Sequence, residues 1–327
     1  MLNQISRRDL LLSIGAILAL ALLPYAVPST YYRSILVIAL LYAVVASSWD
    51  LTLGYAGVFN FAQVATFGVG AYATGILALA GVPPIISMIL AVAVGIAYNG
   101  LVAIPVLRLR GVYVALLTFA AAQLAASVTA GWSSVTGGST GLVLIPDLVV
   151  GQFNFAYSSV AYIYLSGGLL LITIASLRWL VRSPFGLSLV AGRDAEDYAS
   201  SRGVPLGRQR VVALAIGAGY ASAAGAVFAM YLASVSPTIF GFGTATLVLS
   251  MVLVGGAGSI YGPAIAAIAL TFLQNTRQVA GLGPVTFMVI AVLILLILRF
   301  LPGGLWDISR RWSSRSTARR SEYERES

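Results

Sequence analysis

Residues 182–210 read RSPFGLSLVAGRDAEDYASSRGVPLGRQR and stand between two long apolar segments. Six of the chain's 19 basic residues fall between Arg178 and Arg210, with three of its ten acidic ones. The chain as a whole is strongly apolar: its 327 residues are 59% hydrophobic and 9% charged, with a mean hydropathy of +0.95. Soluble domains carry about 25% charged residues, so this is the composition of a membrane protein.

The apolar runs recur at intervals of a helix plus a turn, each near the ~20 residues that cross a bilayer. They lack the polar–apolar alternation of an outer-membrane barrel, so the spans are helices and the predicted fold is an all-α polytopic membrane protein. Ten segments are predicted, at about 10–28, 33–53, 57–80, 84–107, 111–131, 158–178, 211–233, 244–256, 261–276 and 284–301. The eighth and ninth are short and joined by the glycine-rich Gly255–Gly262. They form either two spans or one broken, re-entrant unit, which gives roughly 8–10 transmembrane helices. The transmembrane body is read over 1–308, with an external loop at about 132–157 and an inside loop at about 182–210. The external loop carries a turn-rich run, Thr136–Gly141, expected to be flexible. Residues 309–327 form a basic then acidic tail, from Arg310 and Arg311 to Glu324 and Glu326.

The arginines orient the chain. With the N-terminus inside, only Arg33 and Arg277 fall outside, leaving 17 of the 19 basic residues inside. Both termini are then cytoplasmic, in the bacterial plasma (inner) membrane. Arg7 and Arg8 before an apolar run resemble a twin-arginine export signal, but the plainer reading is a first span with inside-facing arginines. The net charge of +9 follows the same distribution. Basic residues at span ends and in a tail suit anionic lipid and not nucleic acid.

Three absences exclude whole classes of chemistry. The sequence has no Cys, no His and no Lys. Thiol catalysis, Cys-ligated metal and the usual imidazole ligand and proton shuttle are therefore out. A Walker A loop needs its lysine, so the chain is no P-loop ATPase. No catalytic residue, metal ligand or cofactor site is predicted, and an integral-membrane enzyme is disfavoured. Asp50 is the one strong ionisable candidate within a span, which is little for a proton relay.

Two places could carry a transport mechanism. Asn60, Gln63 and Thr66, at i, i+3 and i+6, share roughly one face at the start of the third span. They either line a translocation pathway or bond neighbouring helices, the ordinary fate of amides in membrane bundles. Gly68, Gly70 and Gly75, and Gly217, Gly219 and Gly225, are read as close-packing positions. The second place is Arg193–Arg202, which can make two to three helical turns before Gly203 and Pro205 stop it. Acidic residues near its start and Arg202 near its end suit the helix dipole. So short a helix is marginal in water and needs something to pack against.

At these residues the chain resembles the permease subunits of bacterial ABC importers for branched-chain amino acids, more the M-type subunit than its H-type partner. The resemblance runs from about Ser48 to Trp306. It is carried by Gly54–Gly75, Arg110–Phe119, Thr136–Leu142, Ser183–Val204, Ser236–Pro237, Gly255–Pro263 and Pro302–Leu305 in that order. The run Asn60–Gln63 is nearer the H-type subunit, and Tyr198 and Arg202 stand where small or aliphatic residues are common.

The resemblance implies a pathway-forming subunit paired with a second permease as a heterodimer. It implies two ATP-binding ATPase subunits that hold ATP and Mg, and an external substrate-binding protein that does most of the selecting. A cytoplasmic coupling helix would dock on an ATPase, with Arg193, Asp194, Glu196, Ala199 and Gly203 on the matching positions. Two other readings stay open: a passive channel for urea or a similar neutral solute, and an ion-coupled secondary transporter built on inverted repeats.

Overall fold

A computed structural model of the chain describes residues 24, 29–109, 111–150, 153–154 and 159–275. The predicted spans 284–301 and, but for residue 24, 10–28 lie outside the described residues, as do Arg110, Arg277 and the tail. Among the described residues, eleven α-helices and four two-residue strands follow one another. The helices are α1 Thr30–Asp50, α2 Ala62–Leu79, α3 Pro84–Val106, α4 Val112–Gly131, the single turn α5 Ser133–Thr136, α6 Ser159–Arg182, α7 Pro184–Asp194, α8 Glu196–Ser201, α9 Leu206–Leu232, α10 Phe242–Gly255 and α11 Tyr261–Asn275. A π-helical turn, Leu51–Tyr55, prolongs α1.

Six of these helices are long and apolar enough to cross a membrane: α1 with its π turn, α2, α3, α4, α6 and α9. Each coincides with a predicted segment. Helix α10 has 14 residues, about 21 Å at 1.5 Å per residue and short of a ~30 Å hydrocarbon core; α11 is described as far as Asn275. The break is built from left-handed backbone: Gly256, Gly258 and Ile260 have φ of 97°, 85° and 57°. Pro263 in the first turn of α11 is compatible with a helix start.

Helix α1 is the central post, with most of its length enclosed by α6, α9, α10 and α11. Helix α9 packs on α2 and α3 as well. The glycines read as packing positions do pack closely. A side chain at Gly225 would collide with the Phe67 carbonyl, and one at Gly70 with Ser222. Missing Cβ atoms thus bring α2 and α9 together, the usual route to tight association where lipid supplies no hydrophobic drive. Gly219 is different, with only ordinary side-chain neighbours in Ile96 and Val92.

The described part of the loop after α4 is tied down. Thr136 Oγ1 donates to the carbonyls of Thr129 (2.5 Å) and Trp132 (2.8 Å). Strand β1 (Leu142–Val143) pairs antiparallel with β4 (Ser234–Val235) beyond α9. Strands β2 (Val149–Val150) and β3 (Phe153–Asn154) form a second antiparallel pair. The run Thr136–Gly141 is turn-rich as expected, with Gly137, Gly138 and Gly141 at positive φ. Instead of a flexible loop it is a packed turn, because its hydroxyl caps the end of α4 and its backbone meets β4.

Candidate functional site

The polar island comes together at one end of the bundle, where the π turn, α6–α8, the start of α9 and the α10–α11 break converge. The expected helix over Arg193–Arg202 is instead two helices. Ser183 and Pro184 start α7, the Ser183 hydroxyl accepting weakly from the Gly186 amide at 3.5 Å and proline taking the first helical position. Ala195, with φ −149° and ψ 76°, breaks the run before α8. The break turns α8 so that Ala199 is 3% exposed and Glu196 reaches Arg210 at the start of α9. Two hydrogen bonds of 3.1 and 3.0 Å join that pair. Gly203, φ +80°, then reverses the chain as the glycine stop predicts.

Arg193 makes the contact that connects the island to the spans. Its Nε donates to Asp194 Oδ1 at 2.8 Å, and its guanidinium donates to the Gly54 carbonyl in the π turn. Gly57 leaves room for the arginine stem, which a Cβ there would meet at 2.8 Å. The five coupling candidates therefore divide. Arg193 and Glu196 touch the membrane body, Ala199 is buried, Asp194 braces Arg193, and Gly203 has open space where a side chain would stand.

Asp50, the one strong ionisable candidate within a span, binds backbone amides. Its Oδ1 accepts the Gly258 amide at 2.6 Å and its Oδ2 the Ile260 amide at 2.9 Å. Ser47 Oγ donates to the Ile260 carbonyl at 3.2 Å, and Tyr55 Oη donates to the Gly258 carbonyl at 2.7 Å. The buried carboxylate thus clamps the α10–α11 break, whose amides have no helix to bond. Gly54 is pressed against the Gly258 backbone. One short stretch, 50–54, touches both the break and Arg193. The sequence signal was there, a lone acid in a span and a glycine-rich break, but 208 residues separate the partners.

Asn60, Gln63 and Thr66 are all fully buried. Asn60 Oδ1 accepts from the Ala62 amide at 3.0 Å at the start of α2. Gln63 Nε2 donates to Ser48 Oγ in α1 at 2.9 Å and to the Gly217 carbonyl in α9 at 2.8 Å. Thr66 accepts from Asn99 Nδ2 of α3 at 2.9 Å. The face ties α2 to three neighbouring helices. Beside the island lies a half-open cavity of about 520 Å³, lined among others by Phe59, Val106, Val112, Arg193, Glu196 and Arg210. Among the described residues no group of three or more acidic side chains could hold a metal.

A bundle of apolar helices with a broken pair, clamped at one end beside a charged helical loop, defines a multi-pass membrane protein. The chain belongs to the family described as "Branched-chain amino acid transport system / permease component", which it matches over residues 31–298. Its relatives include the high-affinity branched-chain amino acid transport system permease protein LivM of Escherichia coli, 26% identical over 90% of this chain and 75% of the relative. The protein of the same name from Salmonella typhimurium is 26% identical over 83% of this chain and 69% of the relative. A probable branched-chain amino acid transport permease protein LivM of Methanocaldococcus jannaschii is 23% identical over 81% and 90%. No solved structure matches the chain. Family membership and six membrane-crossing helices place the protein in the inner membrane.

Proposed function

We propose that this chain is a membrane subunit of an ATP-binding cassette importer for branched-chain amino acids or similar small polar solutes. In this reading it forms the translocation pathway with a second permease and receives solute from an external binding protein. Two ATPase subunits, which bind ATP and Mg, drive it from the cytoplasm. The termini and the island at 182–210 lie on the cytoplasmic side, where the arginine distribution puts them.

The observation that carries the proposal is the Arg193–Gly54 hydrogen bond. It joins a helix outside the spans to the π turn, and the neighbouring Asp50 grips the α10–α11 break. An ATPase that shifts α7 and α8 would move both together, so contacts differ between the two states and coupling has a physical basis. Glu196–Arg210 would make the loop move as one piece with α9. Gln63 and Thr66 serve here as interhelical ties, and Asn60 bonds the first turn of α2.

The absence of native cysteine supplies the test. Ser200 is exposed on α8, so a Ser200→Cys variant can be crosslinked to cysteines scanned around the groove of the candidate ATPase, with and without ATP. Nucleotide-dependent crosslinks support the coupling role. Their absence, with the ATPase folded and present, rejects it in favour of a passive channel.

A further inference from the structure

The outward faces of the spans differ in one respect. On α3 the exposed residues from Ile85 to Ile104 are apolar, including Ile86, Ile89, Val94 and Leu101, whereas Ser87 and Asn99 are buried. On α6 the exposed residues before its last turn are Tyr164, Ile172, Ala175 and Trp179. Both faces suit lipid. Helix α4 differs in exposing polar side chains among its apolar ones. Its hydroxyls at Thr118 and Thr129 are buried and bonded to carbonyls of their own helix. The exposed stripe opposite Thr118 runs Leu116, Ala120, Gln123, Ser127, Ala130, flanked by the exposed Leu124 and Val128. Among the described residues neither Gln123 nor Ser127 makes a side-chain hydrogen bond.

Gln123 lies near the middle of the span, with about 12 Å or more of helix on either side, too far for its side chain to reach either interface. An amide moved from water into hydrocarbon without a partner costs roughly 2–7 kcal/mol. A lipid-facing stripe would not carry it. The stripe also continues onto other elements. Phe119 meets Phe242, 60% exposed at the start of α10, with ring centroids 5.8 Å apart. One turn further along α10 stands exposed Thr246. Rows of rings join Phe119 to Phe61 and Phe61 to Phe59, and Phe59 lines the cavity beside Arg193.

Resting on the permease reading, we infer that the α4 stripe, with Phe119, Phe242 and Thr246, is the wall of the solute passage. A second permease chain closes the far side. The surface is neutral, with amide and hydroxyl groups interleaved with rings and aliphatic side chains. It suits a solute that is neutral overall with an aliphatic part, such as a zwitterionic branched-chain amino acid. No charge on this surface would hold such a solute back, which favours passage over tight binding.

Single-cysteine variants in the assembled transporter test this in native membranes. Gln123→Cys and, one turn on, Ser127→Cys are compared with Ile89→Cys on α3 and Ile172→Cys on α6, using a charged, membrane-impermeant methanethiosulfonate. Only a thiolate reacts and hydrocarbon suppresses it, so the stripe variants are expected to label about tenfold or more faster than the controls. Leucine at saturating concentration should slow that labelling, and labelling should block uptake. Labelling as slow as the controls would assign the stripe to lipid. Fast labelling that leaves uptake intact and is indifferent to leucine would also overturn the passage. Leucine uptake by the unmodified chain is measured in parallel, so failure of the importer reading shows there and failure of the stripe assignment shows in the labelling.

Discussion

Asp50 and Gly258 are joined by a 2.6 Å hydrogen bond from the glycine amide to the buried carboxylate, across 208 residues of chain. With the second bond from Ile260, it stands in for the helical bonding that the α10–α11 break forgoes. An uncapped break would leave backbone amides without partners, at a cost where they are shielded from water. A carboxylate, acceptor on both oxygens, is the side chain that can satisfy two of them at once.

Replacing Asp50 should therefore destabilise the fold before it affects chemistry. Asp50→Ala strands two buried amides at roughly 1–3 kcal/mol each. Asp50→Asn keeps one acceptor and opposes an NH₂ to the other amide, so it should fall between wild type and Asp50→Ala. Thermal unfolding in detergent measures the order. Equal melting temperatures for all three would show that the clamp contributes nothing.

The bidentate Glu196–Arg210 pair predicts a charge-swap rescue. Glu196→Arg places two arginines together and should lower uptake by about tenfold or more while the protein still reaches the membrane. Adding Arg210→Glu restores an opposite-charge pair and should recover a large part of the activity. If the swap rescues nothing, Glu196 acts on another surface.

At Gly203 the argument is backbone geometry. Its φ of +80° is closed to proline, whose ring holds φ near about −65°, and open to asparagine at small cost. Gly203→Pro should uncouple uptake and Gly203→Asn should not. Transport assays in cells expressing equal amounts of each variant decide the point, and normal uptake by the proline variant would remove the coupling role of this loop.

Two glycines of α9 make a paired test of packing. Gly225→Ala forces a methyl against the Phe67 carbonyl and should cost about 1–3 kcal/mol. Gly219→Ala meets only the side chains of Ile96, at 3.5 Å, and Val92, at 3.9 Å, and should be close to neutral. Melting temperature and monodispersity on size exclusion read both.

Exchanging the external binding protein should change substrate preference more than Asn60→Ala or Gln63→Leu does. Gln63 ties three helices together and Asn60 bonds the first turn of α2, so their loss should appear in stability. Competition uptake assays give the preference, and a large change on Asn60→Ala would put that residue in the pathway.

Much of this molecule was legible in its order of residues. Six long spans, the short eighth and ninth segments, the charged island and the glycine stop at Gly203 follow from local composition, because hydrocarbon thickness and backbone conformation act on neighbours in the chain. The absence of Cys, His and Lys removed whole classes of chemistry by the same direct route. Only the tertiary structure decided that Asp50 caps a break, that Ala195 divides the segment 193–202, and that Arg193 reaches Gly54. Each depends on partners brought together from distant parts of the chain. The two sides of α4 were equally hidden. In water an amphipathic helix announces its buried face, but lipid is as apolar as the interior of the bundle. Thr118 faces in and Gln123 faces out on a helix whose hydropathy is apolar throughout, and only packing distinguishes them.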